Sequence, residues 1–315
     1  MKTPSFTLVQ LRYFAAAAEL GSMTAASRQL LVSQSAISTA VAQLERELGV
    51  QLLLRSRSRG LALTSAGRDF YAELRGFLAH CQELADSATD AGQELAGDLV
   101  VGCFETLAPF WLPDLVASYT QRHPAVRITA REGEHATLKR MLREGECEAA
   151  LMYAYDLEDD LETVTIASAA PYVVLGVAHP LARKTSIRLA DLASEPVVML
   201  DLPHTADYFR ALFETVGVQP QVRHRTRGYE TVRAMVAAGQ GFAILNQRPL
   251  HDQTYRGGSV VCLTLDDDLP PLDVVAVRVR AARPTRKVHA FIRTCLTVAG
   301  RNADSAEDPA PMSVE

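Results

Sequence analysis

Phe70, Leu74, Phe77, Cys81, Leu84, Ala88 and Ala91 recur at alternating steps of four and three residues. That spacing is the a/d seam of a helix about three heptads long, and a lone helix cannot bury its own stripe. The seam packs either on the chain's own domains or on a second copy. Lying between two unlike segments, it is most simply read as a dimerisation helix carried by Phe70, Leu74, Phe77, Cys81 and Leu84. Cys81 then fills a small core position and is not a redox switch. Gly92 and Gly97 bracket a hinge, so the linker spans 64–97.

A length of 315 residues predicts two domains, or three if one is small. With 48% hydrophobic and 22% charged residues, the chain has ample apolar surface to bury, which excludes wholesale disorder. Cys81, Cys103, Cys147, Cys262 and Cys295 are odd in number and lack metal-ligand spacing, so free thiols in a reducing compartment are expected. The sequence has no apolar run of signal-peptide length and none near the ~20 residues that span a bilayer. A cytoplasmic protein with no membrane partner, no cofactor and no metal is the expectation.

The charge is unevenly spread. Lys2, Arg12, Arg28, Arg46, Arg55, Arg57, Arg59 and Arg68 face only Glu19, Glu45 and Glu47, so the first 68 residues carry +5 of a chain whose total is −5. The remainder carries −10. A basic head on an acidic body suits a protein that grips a polyanion with one end.

Within the head, Leu8, Leu11, Phe14, Ala15 and Ala18 predict a first helix that stops at Gly21. A shorter helix starts near Thr24, buries Ala26 and Leu30 and ends around Val32. Ser33 then caps a third, whose stripe is Ile37, Val41, Leu44 and Leu48 before Gly49. Opposite that stripe lie Ser35, Ser38, Thr39, Ala42 and Arg46, with Gln34 in the first turn. A solvated helix favours Glu and Lys there; small polar residues instead permit close approach to a major groove, where Gln34 can read adenine. A plain amphipathic helix explains the segment equally well. The flanking runs 51–54 and 61–63 bracket Arg55-Ser56-Arg57-Ser58-Arg59-Gly60, a hairpin with a basic tip that is either a solvated loop or a wing on phosphate.

The stretch from Phe6 to Phe70, through Ala25-Ala26, Ser33-Gln34-Ser35-Ala36-Ile37-Ser38, Leu44-Glu45-Arg46-Glu47-Leu48-Gly49, Leu53-Leu54-Arg55 and Leu63-Thr64-Ser65-Ala66-Gly67, closely resembles the DNA-binding domain of LysR-type transcriptional regulators. It departs at Ser35, where proline is commoner, at Thr39, where arginine is frequent, and at Leu54, where phenylalanine is usual. The resemblance implies a winged helix-turn-helix over 1–63, with Arg28, Ser33, Gln34, Ser35, Ser38, Thr39, Arg55, Arg57 and Arg59 on double-stranded DNA. It also implies a homo-oligomer built as a dimer of dimers, and RNA polymerase stands as a further candidate partner.

Beyond the hinge, strands at 99–103, 126–132 and 148–152 alternate with helices ending near 123 and 144, which predicts an α/β domain with a largely parallel sheet. Runs at 172–177, 197–200, 222–225 and 242–245, with helices near 207–216 and 229–238, predict a second unit. After Asp266-Asp267-Asp268-Leu269-Pro270-Pro271 the chain returns through 273–279 and a helix near 285–298. This gives an effector domain over 98–300, with lobe 1 about 98–167 and 267–300, lobe 2 about 168–266, and a mobile tail over 301–315.

This order, with His179-Pro180-Leu181-Ala182 and Val236-Ala237-Ala238-Gly239-Gln240-Gly241, is similar to the regulatory domain of the same family and to periplasmic solute-binding proteins. It implies a small-molecule effector held between the lobes, where open α/β sheets bind ligands beyond their strand carboxyl ends. Those ends carry Cys103, Phe104, Glu105 and Thr106; Glu134, His135 and Ala136; Asp201, His204 and Thr205; and Tyr229 and Glu230. Thr106 and Thr205 either hold a carboxylate or merely cap helices. Glu105, Glu134, Asp201 and Glu230 favour an effector with an amine or several hydroxyls, unless they are solvated rim carboxylates.

Enzyme readings fare worse. Cys103 and His135 resemble a nucleophile and base but lack an orienting third group, and Gly239-Gln240-Gly241 precedes its strand where a dinucleotide loop would follow one. Cys262 and Cys295 as a peroxide sensor lack any thiol-acidifying surroundings. A regulator gripping DNA is therefore expected, with a small-molecule binder whose head contacts proteins as the alternative.

Overall fold

The computed structural model describes residues 5–56, 60–88 and 94–307. The head comprises α1 (Leu8–Leu20), α2 (Met23–Leu30), α3 (Gln34–Leu48) and an antiparallel hairpin of β1 (Leu53–Ser56) and β2 (Gly60–Leu63) in the register Leu53 opposite Leu63. Each helix is started by a side chain that satisfies an otherwise unpaired backbone N–H. Thr7 and Gln10 form a reciprocal capping box, Ser22 Oγ accepts from the Ala25 N–H, and Ser33 Oγ accepts from the Ala36 N–H at 3.1 Å. Phe14, Ala17, Ala26, Ile37 and Leu44 are fully buried at the centre.

The α1 face is rotated from the sequence expectation. Gln10, drawn into the capping box, is buried beside Leu11, Phe14, Ala16 and Ala17, while Leu8 is exposed and Ala15 and Ala18 are half-buried. The hairpin strand starts later than the apolar run because Glu45 of α3 accepts from both the Leu52 and Leu53 N–H groups, at 2.7 and 2.9 Å. That carboxylate ties the hairpin to the third helix. Thr64 then starts α4 (Ser65–Ala88), its hydroxyl accepting from the Gly67 N–H at 2.8 Å. Gly67 is required by proximity: a Cβ there would lie 2.0 Å from the Leu52 carbonyl oxygen.

The α4 seam is divided. Leu74 is buried in the head core and Phe70 packs on Phe14 with ring centroids 5.5 Å apart. Farther along, Phe77 and Leu84 are exposed and Cys81 is half-buried; Ala91 and Gly92 lie outside the described residues.

The remainder forms two sheets. The first contains β3 (Gly97–Phe104), β4 (Val126–Gly133), β5 (Ala149–Tyr153), β6 (Leu161–Ala169) and β13 (Leu272–Val279), in the order β4-β3-β5-β13-β6. It is flanked by α5 (Ala108–Arg122), α6 (His135–Arg143) and α9 (Arg286–Glu307). The second contains β7 (Tyr172–Gly176), β8 (Ser186–Ile187), β11 (Ala243–Leu245) and β12 (Val260–Leu265), in the order β11-β7-β12-β8. Its extension, β9 (Pro196–Leu200) with β10 (Gln221–Thr226), joins through a Val197–Phe242 bridge, beside α7 (Thr205–Thr215) and α8 (Tyr229–Ala237).

The sheets are mixed where a largely parallel one was expected: β13 runs antiparallel to β5 and β6, and β7 antiparallel to β11 and β12. The chain crosses into the second lobe and back, so its returning strand enters against the others. Residues 301–307, expected in the tail, are the last residues of α9, which continues to Glu307; 308–315 lie outside the described residues. Asn302, Ala303, Ser305 and Ala306 do not break a helix already anchored by buried Phe291, Cys295 and Val298. Strands β6 and β12 were not anticipated. The alternation of β6 is built from small residues, and only Leu161 and Ile166 are buried.

Candidate functional site

Two surfaces carry chemistry, and the first is the start of α3. Ser33 closes the first turn and also lies 3.0 Å from the Ser35 hydroxyl. Gln34, Ser35 and Thr39 are exposed, Ser38 is half-buried, and the face continues through exposed Ala42 and Arg46. No acidic side chain occupies the first turn, so the positive end of the helix dipole is unopposed. Arg28 is exposed in the last turn of α2. Arg55 lies on β1, at the hairpin's ascending strand; Arg57 and Arg59 fall outside the described residues. The arrangement presents a narrow, hydroxyl- and amide-bearing rod beside a hairpin, which matches the width and hydrogen-bonding edges of a DNA major groove.

The second surface is the seam between the two sheets' carboxyl ends. Cys103 and Phe104 end β3 in full burial, Glu105 is half-buried, and Thr106 is buried. Glu134 and His135 start α6, with Ala136 exposed; Thr205 starts α7 and Tyr229 starts α8. None of α5, α6, α7 and α8 has a side-chain cap, and at α7 the Thr205 and Ala206 N–H groups donate instead to the Pro203 and Leu202 carbonyls, at 2.8 and 3.1 Å.

Side chains from both lobes lace the seam. Tyr155 Oη lies 2.8 Å from Thr205 Oγ1, Arg227 donates to Glu134 at 2.9 Å, and His204 Nε2 lies 3.1 Å from Asp156. Trp111 Nε1 donates to Gln247 Oε1 at 3.3 Å, and the Phe110 and Tyr229 rings meet at 5.3 Å. Tyr229 and Tyr172 both donate to the Gln247 carbonyl.

The acidic set is mostly spoken for. Glu134 pairs with Arg227, Asp201 with Arg225, and Glu230 with buried Arg233 while also accepting from the Tyr255 N–H. Glu105 differs: its Oε1 is buried with no hydrogen-bond partner, and burial raises its carboxyl above the usual range. His135 is 2% exposed with both ring nitrogens unpartnered, stacked on Tyr155 at 4.2 Å. Burial lowers its imidazole to about 3, so it is neutral and offers one donor and one acceptor.

Burial pushes the Cys103 thiol up, and its Sγ donates weakly to the Phe104 carbonyl, so neither an activated thiolate nor a thiol–imidazole pair is formed. Cys262 and Cys295 are likewise raised by burial, to about 11 and about 12.

Sequence reasoning missed Tyr155, Asp156 and Arg227. The first two follow the carboxyl end of β5, where the strand-end rule would have found them, since Tyr153 and Tyr155 stand directly beyond that apolar run. Arg227, just past β10, carried no motif.

Among the described residues no helix is long and apolar enough to cross a membrane. Two family profiles match: "Bacterial regulatory helix-turn-helix protein, lysR family" over residues 8–68, and "LysR substrate binding domain" over 92–300. The HTH-type transcriptional regulator YvbU of Bacillus subtilis is 29% identical over 242 residues, covering 76% of this chain and 82% of that one. The DNA-binding transcriptional dual regulator OxyR of Escherichia coli is 28% identical over 251 residues, covering 79% and 82%. Among solved structures, HinK, a LysR family transcriptional regulator from Pseudomonas aeruginosa, is similar with TM-score 0.65 and 35% identity, covering 95% of this chain and 100% of that one.

Proposed function

The chain belongs to the LysR family of bacterial helix-turn-helix regulators, and from that premise we propose how its own residues divide the work of a DNA-binding transcriptional regulator. The first turns of α3 enter the major groove, Gln34, Ser35, Ser38 and Thr39 read bases, and Ser33, Arg28, Arg55, Arg57 and Arg59 hold the backbone. The carrying observation is the capped, acid-free start of α3, which leaves Gln34, Ser35 and Thr39 exposed beside the hairpin that Glu45 fixes. A dimer through Phe77, Cys81 and Leu84, doubled into a tetramer, puts two such helices on one face of the duplex. DNA as partner sets the working compartment as the cytoplasm.

The boundaries we assign are 1–63 for the head, 64–97 for the linker and 98–300 for the effector domain. Its ligand sits at the seam, against Cys103, Phe104, Glu105, Thr106, Glu134, His135, Ala136, Asp201, His204, Thr205, Tyr229 and Glu230. Glu105 and His135 have unpartnered buried polar atoms and gain most from a ligand's donors and acceptors. Helix α6 supports a route to the head. It begins at His135 in the seam, and beyond its far end Gly145 abuts the linker, where a Cβ would lie 3.4 Å from Arg75 Cδ. Ligand-driven resetting of the lobes is thereby passed to α4 as a tilt.

Gln34→Ala and Arg57→Ala test the head. Each is expected to weaken operator binding, with Arg57→Ala lowering the salt slope by roughly one unit and Gln34→Ala leaving it unchanged. Wild-type binding by both variants would end the assignment.

A further inference from the structure

All three head helices end on a residue in the left-handed region, and one of those residues is a leucine. Gly21 (φ 58°) closes α1 and Gly49 (φ 69°) closes α3, as expected where a Cβ is disfavoured. Leu31 closes α2 at φ 54°, ψ 41°. The turn is held by its main chain, through the Leu31 N–H to Arg28 and the Val32 N–H to the Ser27 carbonyl at 3.0 Å. The side chain contributes nothing to it: Leu31 is 92% exposed. Glycine or asparagine would build this turn with less strain and less apolar surface in water.

Two other non-glycine residues among those described have positive φ, Asp156 and His204, and they contact each other across the lobe seam. Leu31 has no such internal reason, and a bulky residue held in this region points outward to function. It stands two residues before Ser33, within about 7 Å of chain from the residue that caps α3.

We propose that Leu31 is a DNA-contacting residue. When α3 docks, the isobutyl group packs on the apolar wall of the major groove, a thymine methyl or a deoxyribose face, beside the bases approached by Gln34 and Ser35. This rests on α3 being the groove helix. It adds a contact that owes nothing to hydrogen bonding, and so extends recognition by one step outside the helix.

The test uses the full-length protein and a duplex it selects from a random-sequence pool. Leu31→Gly and Leu31→Asn are expected to bind about five-fold or more weakly while the head melts at the same or a higher temperature. Leu31→Met, which keeps the apolar contact, stays within about two-fold of wild type. Deoxyuridine in place of thymine separates the two walls: a methyl contact weakens wild type but not Leu31→Gly, and a sugar contact leaves both unaffected. Wild-type affinity in Leu31→Gly and Leu31→Asn alongside weakened Gln34→Ala overturns the proposal and leaves the groove helix standing. Unchanged binding by Gln34→Ala as well removes both. An affinity loss that tracks lost head stability assigns Leu31 to the fold and also overturns it.

Discussion

The head starts each of its three helices with a side-chain cap, whereas the four effector-domain helices that begin at the lobe seam have none. Thr7, Ser22 and Ser33 cap α1, α2 and α3, but α5, α6, α7 and α8 begin without a side-chain cap, and both ring nitrogens of His135 and the Oε1 of Glu105 are buried without a partner. A module satisfied by local bonds can serve as a rigid reading head. One with spare polar capacity at a seam between lobes can change when something fills it.

If the two regions are energetically separate, truncating the head core should hurt only the head. Phe14→Ala removes a fully buried ring and is expected to cost about 3–5 kcal/mol. Calorimetry of the full chain should show the head transition falling while the effector-domain transition stays; a shift of both would merge the regions into one cooperative unit.

A smaller effect sharpens the contrast by pH. The unfolded imidazole of His135 takes its proton near 6.5, whereas the folded one waits until about 3. Between those values the unfolded chain binds more protons, so effector-domain stability climbs with pH and levels off above 6.5. Going from pH 6.5 to 4 should remove about 3 kcal/mol through this group, a loss that His135→Phe lacks when both are followed by denaturant titration.

The smallest effect is capping. Ser33→Ala should destabilise the head by about 1 kcal/mol, read as a shifted urea midpoint at constant slope. No loss would mean that α3 starts are held by something other than the serine.

Legibility followed the same divide. Gly21 and Gly49 as stops, Ser33 as cap and the Ile37, Val41, Leu44 stripe were readable because caps and stripes act within one or two turns. In the effector domain the strand ends carrying Phe104, Glu134 and Asp201 were readable, but their partners were not: Arg227 meets Glu134 across 93 positions of chain, and Tyr155 meets Thr205 across 50. The acids there looked like a surplus awaiting a cation until Arg225, Arg227 and Arg233 were seen beside them.

By itself, then, the order of residues determined the three helices of the head, the Ser33 cap, the stops at Gly21 and Gly49, the uneven charge, and the alternation that makes two α/β lobes. These depend on contacts within a few residues. Tertiary structure alone decided the antiparallel return of β13, the division of the α4 seam between head core and exposed face, and the neutral, unpartnered state of His135. Each of these depends on which distant segment removes a group from water, and burial by a distant segment has no local signature.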